Sequence, residues 1–94
     1  MTIFVASRFS NGNGLFPVEI HIDDYSVTIK KPGLIAAIEK TMMYRNISSV
    51  ELHTPIFGFT KIKINTIGMD SMLIEGFERS HAEEVKRLIE IKIR

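Results

Sequence analysis

Residues 59–67 read Phe59-Thr60-Lys61-Ile62-Lys63-Ile64-Asn65-Thr66-Ile67. Side chains along an extended chain point alternately to opposite faces. Lys61, Lys63 and Asn65 therefore share one face, and Ile62 and Ile64 share the other. This is the pattern of a strand with one side in water and one in a core. Gly68-Met69-Asp70 follows as a turn, and Met72 to Phe77 reads as the antiparallel partner.

Working back toward the N-terminus, more strands precede this pair. Ile47, Val50 and Leu52 mark one, with Asn46 and Ser48-Ser49 as a bend, and His53-Thr54-Pro55 breaks it. Thr41 to Arg45 reads as another, with Met42 and Tyr44 on one face. The segment from Leu34 to Lys40 fits either one or two helical turns or a long connection, because alanine favours helix but the stretch is short. Earlier still, Val18, Ile20 and Ile22 alternate with Glu19, His21 and Asp23, and Tyr25, Val27 and Ile29 alternate with Ser26, Thr28 and Lys30. Asp23-Asp24 makes these a hairpin, since short Asx side chains bond their own backbone, and Lys31-Pro32-Gly33 ends it. Thr2 to Phe9 reads as a further strand, and Asn11-Gly12-Asn13-Gly14 is a double turn signal.

Past residue 77 the period changes. Ala82, Val85, Ile89 and Ile93 fall on one side of a helical wheel, which predicts an amphipathic helix over 80–93. Ser80 with Glu83 has the spacing of a capping box. Lys86, Arg87 and Lys92 lie toward the negative end of the helix dipole. The expected fold is mainly β, with about seven short antiparallel strands curled into a bent sandwich or barrel. The single C-terminal helix covers its open end. All 94 residues are expected to form one domain, with residues 1–14 supplying an extra strand and a turn-rich segment.

Composition narrows the function classes. The chain is 45% hydrophobic and 24% charged with a formal net charge of +1, which is globular and lacks the basic excess of nucleic-acid binders. It has no cysteine, so disulfides, thiolate nucleophiles and cysteine-bound metals are excluded. No segment has the ~20 apolar residues of a membrane span, and no signal peptide is recognisable, so a cytoplasmic location is expected.

The chemistry-bearing residues do not converge in sequence. His21, His53 and His81 share no ligand spacing, so no metal site and no cofactor is expected. Asp23, Asp24 and Asp70 are placed as turn residues, and Ser48 and Ser49 as a bend without a neighbouring base. Phe57 to Ile62 lacks the basic-glycine start of an RNA-binding aromatic strand. The chain is therefore expected not to be an enzyme.

The run Arg45-Asn46-Ile47-Ser48-Ser49-Val50-Glu51-Leu52, then Pro55-Ile56-Phe57-Gly58, Lys61-Ile62-Lys63-Ile64-Asn65-Thr66, Gly76-Phe77 and Ala82-Glu83-Glu84-Val85-Lys86-Arg87-Leu88-Ile89 resembles bacterial pleckstrin-homology-like domains. The resemblance implies a strongly bent pair of sheets capped by a helix, often oligomeric in the bacterial branch. Relatives that bind phosphoinositides use a basic loop between the first two strands. The corresponding hairpin here turns at Asp23-Asp24, whose carboxylates repel a phosphate.

Two surfaces are candidates for work. Lys30, Lys31, Arg45, Lys61 and Lys63, with Lys40, would form a basic stripe for anionic lipid if the strand of Lys61 and Lys63 lay beside that of Arg45. Phe4, Phe9, Phe16, Ile56 and Phe57, with Leu15, lie near turns or termini, and not all of them fit inside a small barrel. The expected function is a non-catalytic interaction module, either protein–protein or homo-oligomeric, acting through a sheet edge or helix face. Peripheral binding of an anionic lipid surface is the alternative.

Overall fold

The strands read at 59–67 and 72–77 do pair. In the computed structural model, which describes residues 1–9, 16–33, 36–68 and 71–94, β6 (Thr60–Thr66) runs antiparallel to β7 (Met72–Phe77) with Ile62 opposite Ile74 and Ile64 opposite Met72. β5 (Ile47–His53) adds to the other side of β6. A second antiparallel sheet holds β1 (Thr2–Val5), β2 (Glu19–Ile22), β3 (Ser26–Lys31) and β4 (Ile38–Met43) in that order, and α1 (Arg79–Ile93) completes the chain. The inward rows of both sheets and one stripe of α1 share a core. Ile20, Val27, Ile29, Ile62, Ile64, Phe77, Val85 and Ile89 have no exposure in it. Each such side chain contributes about 1.5–3 kcal/mol relative to an exposed position.

Two irregularities shape the sheets. Between Thr60↔Phe77 and Ile62↔Ile74 the pairing gives β7 one residue more than β6, and Gly76 there has φ 96°. A side chain would be strained at that angle, so the bulge needs glycine. The bulge brings the Gly76 carbonyl to Ser7, whose N–H donates to it at 2.8 Å. That bond ties the segment after β1 to β7 and closes one corner of the sandwich. The second irregularity lies at Ser48, where the β5 register shifts between Ile47 and Ser49. It lets Ile47 and Val50, three apart, both face inward.

Several sequence expectations need correction. β1 stops at Val5, short of Phe9. Tyr25 belongs to the hairpin turn and is 78% exposed, so the inward alternation of β3 begins at Val27. Residues 38–40 are neither helix nor loop but the start of β4, paired with Lys31, Lys30 and Ile29. β4 ends at Met43, and Tyr44–Asn46 form a 3-10 turn. Tyr44 is buried there, and its hydroxyl donates to the Asp23 carbonyl at 2.7 Å. Burial, helped by the charges of Asp23 and Asp24, pushes its phenol up to about 12.

The helix is present, but the capping box is not. α1 starts at Arg79 after an extended Glu78, and no side chain caps it. Glu83 is thus one turn into the helix, where Arg79 Nε donates to its carboxylate at 3.0 Å. Glu84 is held by Arg87, whose hydrogen bond keeps its carboxyl below the usual range. The expected turn at Asn11-Gly12-Asn13-Gly14, Leu15 and the residues Met69 and Asp70 lie outside the described residues.

Candidate functional site

The fold treats the two edges of the three-stranded sheet differently. The β7 edge receives the Ser7 N–H, as above. The β5 edge receives no strand among the described residues; α1 packs along it instead. A helix covers a sheet edge with side chains rather than backbone groups, and the cover here is incomplete. Between β5 and α1 runs an open groove of about 600 Å³. Leu52 and Thr54 form its strand side. On the helix side Arg79, Lys86, Arg87 and Arg94 supply cations, Glu83 and Glu90 carboxylates, and Ile91 an apolar contact that is 52% exposed.

Helical periodicity explains why these side chains collect. Ala82, Val85 and Ile89 occupy the buried stripe, so positions 79, 83, 86, 87, 90, 91 and 94 fall on the flank turned toward β5. The opposite flank meets the first sheet, where the His81 ring lies edge-on to Phe4 at 6.0 Å. Among the described residues, three of the groove-flank cations form ion pairs along their own helix. Arg79 pairs with Glu83, Lys86 with Glu90 at 3.8 Å, and Arg87 with Glu84. An exposed i,i+4 pair such as the first two is worth about 0.3–0.5 kcal/mol, so either cation can exchange its partner cheaply.

The anticipated basic stripe is not assembled. Lys61 and Lys63 lie on β6, between β5 and β7, while Arg45 sits in the 3-10 turn and Lys30 and Lys31 lie on β3 of the other sheet. Carboxylates interleave with them. Lys61 pairs with Glu75 at 3.3 Å, Lys63 stands opposite Glu51, and Lys30 stands between Glu19 and Glu39. Sequence proximity put these cations together, but cross-strand pairing separates them.

The apolar candidates divide similarly. Phe4 is partly buried against the core. Phe16 is 39% exposed, whereas Phe9, Ile56 and Phe57 are almost fully exposed. Ile56 and Phe57 lie on the β5–β6 connection, two and three residues past Thr54, and do not line the groove. The histidines divide as well. His21 is only 9% exposed, and its Nε2 lies 2.8 Å from a Glu19 carboxylate oxygen. His53 and His81 are exposed. Ser48 and Ser49 both bind Asn65, the first through its carbonyl and the second through its side-chain amide. Among the described residues no group of three His, Asp or Glu side chains could hold a metal ion.

A bent antiparallel sandwich, one corner tied by backbone and one end plugged by a C-terminal helix, defines a scaffold with an open sheet edge. The chain belongs to the bacterial PH domain family, which matches residues 15–92. The fold is therefore PH-like, and the family is one of generally non-catalytic binding modules. A search of curated proteins finds no match. No helix among the described residues is long and apolar enough to cross a membrane.

Of the groove cations, Lys86 and Arg87 are legible in the sequence as dipole partners, whereas Arg79 and Arg94 carry no sequence signal. Their role as a groove wall depends on α1 lying along β5, and no local pattern encodes that.

Proposed function

We propose that this chain is a protein–protein interaction module that takes up an extended segment of a partner protein along the β5 edge, beside α1. The observation that carries the reading is the groove itself: a seven-residue strand that, among the described residues, pairs on one side only, with a helix flank beside its C-terminal end at Leu52 and Thr54. An unpaired strand edge is a template for a further strand, with main-chain bonds giving affinity and flanking side chains giving selectivity. Ile56 and Phe57, exposed on the connection that follows β5, offer apolar contact to a chain that extends past the strand's end.

Selection from a random heptapeptide library tests this, followed by amide exchange on the bound protein. Bound peptides are expected to slow exchange at residues 47–54, and Ile91→Ser should weaken them. Protection confined to β4 or to the outer sheet faces would contradict the proposal. So would a dimer whose self-contact already protects β5, because the occupant would then be a second copy.

A further inference from the structure

We infer that the segment taken up beside β5 is acidic, with an apolar side chain placed to meet Leu52 and Ile91. This deepens the strand-addition reading and rests on it.

The argument is one of charge and spacing. The groove flank of α1 presents Arg79, Lys86, Arg87 and Arg94 against Glu83 and Glu90, with Glu84 beside them as the partner of Arg87, which leaves Arg94 as a surplus cation in a chain whose overall charge is nearly balanced. The cations are spread along the helix from its first turn to its end, while the apolar contacts are confined to Leu52 and Ile91. A strand on the β5 edge turns alternate side chains toward α1. Carboxylates at such positions reach guanidinium and ammonium groups along the helix, and one apolar residue among them covers Leu52 and Ile91. A basic segment would instead meet like charge along the same flank. The intrahelical pairs do not block this, because Arg79 and Glu83 are more than half exposed and the side chains of the Lys86–Glu90 and Arg87–Glu84 pairs are over a third exposed, so all three pairs can open. Carboxylate recognition by arginine is favoured by its planar, forked donors.

The test uses two synthetic peptides, each seven residues long to match β5. One alternates Glu or Asp with Val and Leu; the other has Lys at every acidic position. Fluorescence anisotropy measures both at low and high salt, and hydrogen exchange locates them. The acidic peptide is expected to bind at least about tenfold tighter than the basic one and to lose most of that advantage at high salt. Arg79→Gln with Lys86→Gln should remove at least about half of the preference on a logarithmic scale. If both peptides bind equally and both protect residues 47–54, the acidic preference is overturned and the strand-addition reading survives. If neither protects β5, both fail. Displacement of the acidic peptide by phosphatidylserine vesicles, with the double variant weakening vesicle binding equally, would assign the cations to a lipid surface and overturn the inference.

Discussion

The β7 and β5 edges of the same three-stranded sheet face opposite fates. At β7, a glycine bulge turns a carbonyl to the Ser7 N–H, and that backbone bond ties the edge to the segment after β1. At β5, the neighbour is a helix, which closes the core through Val85 and Ile89 but leaves a groove above them. The difference teaches where this small domain places its stability and where it leaves room to bind. Substitutions at the sealed corner should be felt in folding, and those on the groove flank in recognition.

The strongest way to break that division is Phe77→Ala. Phe77 is fully buried next to the bulge, and its truncation should cost about 3–5 kcal/mol in urea unfolding. A loss comparable to that of a surface change would mean the corner is not where stability resides. Gly76→Ala should cost about 1–3 kcal/mol through its strained backbone angle. It should also speed amide exchange at Ser7, which a merely local strain would leave unchanged.

Tyr44→Phe sharpens the picture at the turn between the sheets. Losing the hydrogen bond to the Asp23 carbonyl should cost about 0.5–1.5 kcal/mol near neutral pH. The phenol's folded value, about 12, lies above its ordinary value of 10.0. Its proton is therefore held more tightly in the folded state. The associated stability is complete below the ordinary value and is lost as pH rises toward the folded one. Alkaline unfolding titrations of the Phe variant should show a shallower decline across that window.

The smallest effect on folding is expected at the open edge. Arg79→Gln with Lys86→Gln removes both i,i+4 pairs and should change stability by no more than about 1 kcal/mol, while acidic peptide binding falls as described. A large loss of stability in this variant would merge the two regions that the account keeps apart.

How much of this was legible in the sequence depended on the range of the interactions involved. The period-2 pattern of Lys61 to Asn65 and the helical stripe of Ala82, Val85 and Ile89 were readable, because burial of one face imposes them locally. The start of β4 was not, because Ile38, Glu39 and Lys40 are exposed at a sheet edge and carry no alternation. The capping box failed because the N-cap falls at Glu78, two residues before Ser80, and Arg79 engages Glu83. The candidate lysines were separated by strand pairing, and the groove arises only when residues 52–54 and 79–94 come together. Both are long-range properties.

The most direct measurement is residue-resolved amide exchange along β5 and β7, in the free chain and with a library-selected heptapeptide bound. The account predicts that the N–H groups of β5 directed away from β6 exchange rapidly when free and slowly when the peptide is bound, while β7 is unchanged. Peptide binding that left every β5 amide exchanging at its free rate would contradict it.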